Sequence, residues 1–279
     1  MVNEEKGHKP QGNVWSSSQT AEHWQQDIQR RRQDFAGATQ RMLEAAGLKP
    51  GDHVLDIAAG TGDQSILAAR IVEPGGSVLA TDISAEMLDV AARVVQQEGL
   101  NNITTRVMNA EQLVLEDNAF DAVICRLGLM LIPRIQQALR EIHRVLKPGG
   151  KVSALVWSAP EKNPLFSLPL SIVSKYTKEA RSPRLDPFSL SDPAVFEREL
   201  TEAGFSDVLT CALPFQTHYT SLDAFLQSTA SRLTAGVMAQ LNEQEQQQLL
   251  QEIRQAVSQF EGADGFVAPA EFLLGVGRK

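Results

Sequence analysis

The stretch "HVLDIAAGTGDQS", residues 53–65, places Gly60 and Gly62 between two carboxylates, Asp56 and Asp63, directly after an apolar run. A third carboxylate, Asp82, closes the next apolar run, "SVLATD", about 20 residues beyond the glycines. Glycines at this position let the chain turn tightly and approach a ligand closely, and the helix behind them offers unpaired N–H groups. A dinucleotide fingerprint needs a third glycine, but Ser65 stands there and Asp63 repels a phosphate; with no Gly-Lys-Ser/Thr following, a Walker loop is excluded. The turn therefore suits a ligand with a positive charge and no phosphate, and either Asp56 or Asp63 is placed to hold an amino group, directly or through water. Asp82 is placed to accept both hydroxyls of a ribose. A ribose joined to an amino acid without phosphate describes S-adenosylmethionine. In "MNAEQL", Asn109 and Glu111 beside a backbone turn suit an adenine edge, with Ile83 and Met87 sandwiching the ring.

The surrounding elements must deliver these residues to one edge. Short β-branched runs ("HVLDIA", "SVLATDI", "ITTRVM", "AFDAVIC", "KVSALVW") alternate with helical patterns ("SILAARIV", "AEMLDVAARVVQQ", "RIQQALREIHRVL"). That alternation predicts an α/β, doubly wound, mostly parallel sheet with ligands bound at the carboxyl ends of its strands. Residues 1–20 read as a mobile polar tail, 21–47 as an amphipathic helical cover, 48–160 as the cofactor-binding core, and 161–279 as cap insertions plus the last two strands. Within the last segment, "GFSDVLTCALPF" and "GFVAPAEFLLGVGRK" read as strands, and residues 221–261 as two glutamine-rich helices.

Taken in order, "VLDIAAGTGD", "ATDISAEML", "NAEQL", "FDAVICRLGLMLI" and "REIHRVLKPGGKV" resemble the class I S-adenosylmethionine-dependent methyltransferases, in particular the ubiquinone/menaquinone-biosynthesis type and its small-molecule relatives. The resemblance covers residues 45–160. It implies a Rossmann-like, seven-stranded sheet with its last strand antiparallel, the cofactor across its carboxyl edge and a variable cap that selects the substrate. Carried over by motif, Asp56, Gly60 and Gly62 match the first motif, Asp82 the ribose acid, and Asn109 and Ala110 the adenine turn. Ala58 stands where many members have glycine, and Asn109 where an aspartate is frequent.

Methyl transfer from a sulfonium is an in-line displacement, which asks the protein chiefly to align the reactants and exclude water. A phenol, enol or acidic carbon also needs a base. Of the five histidines, His53 and His143 read as structural and His8 lies in the tail, which leaves His218 and His23 as base candidates. Arg126, directly after the fourth strand, is expected near the transferred methyl group or the cofactor carboxylate, or in a salt bridge anchoring the cap. Trp15, Trp24, Phe35, Phe166 and Tyr176 are candidate walls of an apolar acceptor pocket, and Asn163 in "EKNPLF" a candidate substrate contact. The expected reaction is methyl transfer to oxygen or carbon of an apolar aromatic, quinone-like or polyketide-like molecule. Nitrogen methylation, or a cyclisation or rearrangement in a chain that only binds the cofactor, would use the same motifs.

Composition narrows the partners. A net charge of -8 disfavours phosphate-neutralising contacts with nucleic acid, and the basic cluster Arg30 to Arg32 with Arg41 is interleaved with Asp27, Asp34 and Glu44. The fourth strand end, "CRLG", also lacks the Asp/Asn-Pro-Pro-aromatic motif of enzymes that methylate nucleic-acid amino groups. Two cysteines are too few for a disulfide framework, no apolar run approaches the roughly 20 residues that span a bilayer, and the first residues lack a signal-peptide plan. A reduced, cytoplasmic protein without metal or membrane insertion is the expectation.

Overall fold

Side-chain alternation along the strands feeds two separate cores, one on each face of a single sheet. The computed structural model describes residues 28–177, 186–263 and 265–279. Five parallel strands, β1 (His53–Ile57), β2 (Ser77–Asp82), β3 (Ile103–Val107), β4 (Phe120–Arg126) and β5 (Leu146–Trp157), are joined by β6 (Ser206–Tyr219), β7 (Glu261–Gly262) and β8 (Gly265–Arg278). The order is β3-β2-β1-β4-β5-β8-β6, with β8 antiparallel to both neighbours and the two-residue β7 paired to its start. The Rossmann-like α/β sheet is thus as expected, except that β7 adds an eighth strand among the described residues.

On one face, Leu55, Ile57, Val123, Cys125 and Val152 pack against α4 (Ile135–Val145) and α6 (Pro193–Glu202) through Leu139, Ile142, Phe196 and Leu200. On the other, Val54, Val78, Ile124, Leu155 and Phe272 pack under α1 (Ile28–Ala46) and α2 (Asp63–Val72) through Met42, Leu43, Ala68 and Val72. The helix α3 (Ala85–Gln97) carries its buried Met87, Val90 and Val94 against Ile66 of α2.

The ends of β6 and β8 run past the carboxyl edge and carry a separate core. Tyr219, Phe266 and Ala268 pack there with α5 (Pro164–Tyr176), α7 (Leu222–Phe225), α8 (Ser231–Met238) and α9 (Glu243–Val257). The glutamine-rich region is more broken than its periodicity predicts. A π-helical turn over Leu226–Ala230 separates α7 from α8, and Asn242 opens α9 with a full capping box. Among the described residues no helix is long and apolar enough to cross a membrane, and no cluster of His, Cys, Asp or Glu could hold a metal ion.

Candidate functional site

The glycine turn sits at the carboxyl end of β1 between β2 and β4. Ala58 adopts φ 55°, the Ala59 N–H donates to the Thr81 carbonyl at 2.9 Å, and the Gly60 N–H donates to Asp82 Oδ2 at 2.9 Å. Gly62 needs its missing side chain twice over. It is left-handed at φ 83°, and a Cβ there would lie 3.1 Å from the Ala91 Cβ of α3.

The two acids that flank the turn are not open to a ligand, which corrects the expectation that either holds an amino group. Asp56 is fully buried, with Ser65 Oγ donating to one oxygen and Gln64 Nε2 to the other at 3.1 Å, so it clamps the first turn of α2 onto β1. Burial pushes its carboxyl up to about 7. Asp63 is equally buried and receives Arg32 Nε from α1 at 2.9 Å and Arg126 Nη2 from the end of β4 at 3.3 Å. The sequence reading missed Arg32, because its partner lies 31 positions away and no local pattern signals the pairing.

Asp82, by contrast, stands at the strand edge with acceptor capacity to spare. Its Oδ1 takes the Ser84 N–H at 2.9 Å and its Oδ2 the Gly60 N–H, leaving further lone pairs on both oxygens. Burial raises this carboxyl, while the N–H groups of Ser84, Gly60 and Ile83 pull it back down. Next to it Ile83 is 52% exposed, and Val107, at the end of β3, is 55% exposed. Two large apolar side chains left open beside a strand-end carboxylate form a surface suited to a flat heterocycle. Asn109 is exposed and its Oδ1 accepts the Glu111 N–H at 2.9 Å, which shapes the turn that presents the half-buried Ala110.

Two of the residues expected around an adenine are engaged elsewhere. Met87 is buried in the α2–α3 cluster because helix periodicity turns it inward. Glu111 is buried and grips Arg134 through its backbone N–H, Nε and Nη2 at 2.8–2.9 Å. Burial pushes Glu111 up, but these donors outweigh it and hold its carboxyl below the ordinary range.

Arg126 is the junction between the turn and the rest of the edge. Its side chain is 10% exposed; Nη1 donates to Thr39 Oγ1 of α1 at 3.0 Å, Nη2 reaches Asp63, and the guanidinium lies 5.9 Å from the Phe35 ring centroid. Burial lowers its pKa against the pull of Asp63 and Asp56. Phe35 in turn meets Trp157, the last residue of β5, along with Phe215 and Phe272, all edge-on at 5.0–6.3 Å. Phe166 of α5 stacks on Trp157 at 5.0 Å and 25°, and Phe188 meets Phe166 edge-on at 5.8 Å. Phe35 and Phe166 thus both pack against Trp157. Trp157, Phe188 and Phe215 were not singled out, although a tryptophan ending a strand at the carboxyl edge is a legible signal.

The other expected acceptor contacts are spent on structure. Asn163 is buried; its Nδ2 donates to the Ser158 and Ala159 carbonyls at 3.1 Å, and its Oδ1 accepts the Glu271 N–H at 2.9 Å. It braces the exit of β5 and has no polar atom left for a substrate. Tyr176 packs within the cap core and donates to Glu252 Oε1 at 2.7 Å, away from the aromatic group around Trp157.

His53 and His143 occupy structural places. The His53 ring bonds Ser77 Oγ at 2.8 Å, and His143 packs edge-on against Phe205, where burial lowers its pKa. His218, near the end of β6, is 58% exposed, with Nδ1 3.8 Å from Asp34 of α1. His8, Trp15, His23 and Trp24 lie outside the described residues.

Residues 29–178 match the model of the ubiE/COQ5 methyltransferase family. The ubiquinone/menaquinone biosynthesis C-methyltransferase UbiE of Hahella chejuensis is 41% identical over 133 residues, covering 47% of this chain and 53% of that protein. The UbiE protein of Pseudomonas aeruginosa strain LESB58 is 36% identical over 183 residues, covering 60% of this chain and 70% of that protein. The chain therefore spans about half the length of the first of these relatives. Among solved structures, the YcgJ protein of Bacillus subtilis superposes with a TM-score of 0.60 at 21% identity, covering 88% of this chain and 98% of that one, a likeness of fold.

Proposed function

This chain belongs to the ubiE/COQ5 methyltransferase family, and from that premise we propose that it transfers the methyl group of S-adenosylmethionine to a ring carbon of an apolar, electron-rich, quinol-like aromatic. The observation that carries the reading is the pairing of Gly60 and Asp82. A glycine-turn N–H and the Ser84 N–H hold a strand-end carboxylate in place, with open lone pairs and two exposed apolar side chains beside it. The residues present fit the cofactor. Asp82 would accept its ribose hydroxyls, Ile83 and Val107 would cover its adenine, and the Asn109–Ala110 turn would meet the adenine edge. When bound, the cofactor supplies an electrophilic methyl group on sulfur.

What the chain contributes is alignment and dryness. Arg126, held by Asp63 and Thr39, fixes α1 over the edge next to the turn. The aromatic group around Trp157 supplies an apolar wall on the adjoining strand. Arg126 also brings positive charge to where a deprotonated acceptor would gain from it. His218, beside Asp34, and His23 are the candidates for taking the acceptor proton. The curated relatives are named as C-methyltransferases, which favours carbon over oxygen. The free thiols of Cys125 and Cys211 are consistent with a reducing, cytoplasmic setting for the reaction.

The test is incubation of the protein with S-adenosylmethionine and a panel of hydroquinones, naphthols and enols, followed by mass spectrometry and NMR of the products. The reading expects a product carrying one added methyl group on a ring carbon. Cofactor binding with an isomerised, unmethylated acceptor would replace it with the cyclisation or rearrangement reading.

A further inference from the structure

Charge beside the glycine turn does not cancel. Asp63, the first residue of α2, is shared by two arginines: Arg32 Nε of α1 donates to its Oδ1 at 2.9 Å, and Arg126 Nη2 donates to its Oδ2 at 3.3 Å. A second acid near Arg32, Glu98, stands 3.9 Å from Arg32 Nη1 but accepts from Arg70 Nη2 at 2.6 Å, so it has a cation of its own. Asp56 also acts on Arg126, but its oxygens are held by Ser65 and Gln64, and burial pushes its carboxyl up to about 7. It is therefore no full counter-charge at neutral pH, and the two arginines on Asp63 leave positive charge over.

Arg126 holds that surplus in a form a ligand can use. A guanidinium carries five N–H donors in a planar fork, and among the described residues this one uses two, on Thr39 and Asp63. Its side chain is only 10% exposed, so a bond from the other donors to an anion would be weakly screened.

The sheet order says which anion comes within reach. The strands run β3-β2-β1-β4, with Val107 ending β3, Asp82 ending β2 and Arg126 ending β4. A cofactor with its adenine on Val107 and its ribose on Asp82 extends its amino-acid arm across the β1 turn toward β4. Neighbouring strands lie about 4.8 Å apart, so the step from β2 to β4 is about 10 Å, a span that the extended arm and one hydrogen bond cover. Both acids of the turn are engaged within the chain, which leaves the carboxylate of that arm, not its ammonium group, as the charged handle.

We propose that Arg126 binds the carboxylate of the cofactor's amino-acid arm, and that Arg32 is the positioning residue that keeps it free to do so, by occupying the Asp63 oxygen that Arg126 would otherwise also take. The proposal rests on the S-adenosylmethionine reading and adds to it which end of the arm the chain reads. Without Arg32, Asp63 can turn both oxygens to Arg126 in a bidentate pair, which fills the fork and cancels the surplus charge.

The experiment compares three ligands by calorimetry: S-adenosylhomocysteine, its decarboxylated analogue and its deaminated analogue. The parent protein should bind the decarboxylated analogue about tenfold more weakly than S-adenosylhomocysteine, the scale of one charge-assisted hydrogen bond, and should lose less on deamination. Arg32→Met should lose most of that preference for the carboxylate, and Arg32→Lys, which keeps the charge, should retain most of it. Each preference is a ratio within one protein, so a general loss of stability does not imitate the effect. A parent that loses no more on decarboxylation than on deamination would overturn the proposal, as would Arg32→Met with the parent's full carboxylate preference. In both cases S-adenosylhomocysteine still binds and the cofactor reading stands. Failure of the parent to bind S-adenosylhomocysteine would overturn that reading and the proposal with it.

Discussion

Gly128, at the carboxyl end of β4, offers a sharp test of how the cofactor turn is held. Its backbone, at φ -108° and ψ -41°, is open to any residue, so a substitution there acts through space alone. A Cβ at this position would lie 2.4 Å from the Cβ of Ala58 and 2.9 Å from Cys125 Sγ. The first distance is about 1 Å short of ordinary carbon contact, and neither neighbour is a flexible chain end. Overpacking of this kind costs about 1–3 kcal/mol. Because Ala58 starts the turn that presents the Gly60 N–H to Asp82, Gly128→Ala should also weaken cofactor binding.

The compensating change follows from the same geometry. Ala58 sits at φ 55°, a left-handed conformation that costs a non-glycine residue about 1 kcal/mol. Ala58→Gly relieves that cost, gives back about 0.5–1 kcal/mol in unfolded-chain entropy, and comes out near neutral. It also removes the methyl group that Gly128→Ala would strike. In urea denaturation the double variant should therefore be more stable than the sum of the singles by about 1 kcal/mol or more, well outside the ~0.5 kcal/mol of independent sites. S-adenosylhomocysteine titrations should recover in parallel. Additive losses would refute the claim that the β1 and β4 turns interlock through these two positions.

Further outcomes follow from the buried groups. Burial raises Asp56 from 3.8 to about 7, so the folded state favours its protonated form, and this contribution is full below the unfolded pKa and lost as pH rises toward 7. The stability of the parent relative to Asp56→Asn should thus decline as pH rises across about pH 4–7, as measured by urea denaturation of both proteins across that window; parallel profiles would contradict it. Asn163→Ala strands the Glu271 N–H and two carbonyls, and should cost about 1–3 kcal/mol while leaving S-adenosylhomocysteine affinity unchanged. A large loss of cofactor affinity would instead return Asn163 to the site. Gly275→Ala would set a Cβ 2.4 Å from the ring of the fully buried Phe196, and a melting temperature no lower than the parent's would count against the described packing of α6 on β8.

The sheet was legible because buried parallel strands read as continuous apolar runs and each ends in a glycine or polar turn. Asp82 and Ile83 were legible for the same reason, since a polar residue that closes an apolar strand marks the carboxyl edge. What stayed hidden was pairing at long range. Nothing local to Asp63 announces that Arg32 and Arg126 neutralise it, and nothing near Glu111 points to Arg134. Asn163 and Tyr176 were misplaced for a related reason. A polar or aromatic residue in an insertion looks available until the elements that satisfy it, β8 for one and α9 for the other, fold back onto it. Trp157 was visible as the end of a strand, but its place in an aromatic group depended on Phe35 arriving from a helix more than a hundred positions earlier.

The most direct test of the central claim is calorimetric titration of S-adenosylmethionine and S-adenosylhomocysteine into the parent protein and into Asp82→Ala. Both ligands should bind the parent, and the substitution should weaken both by about 1.5–3 kcal/mol, as expected for hydrogen bonds to a charged group. A folded parent protein that binds neither ligand, or an Asp82→Ala protein that binds both as tightly as the parent, would contradict the assignment of the glycine turn and its neighbouring carboxylate to this cofactor.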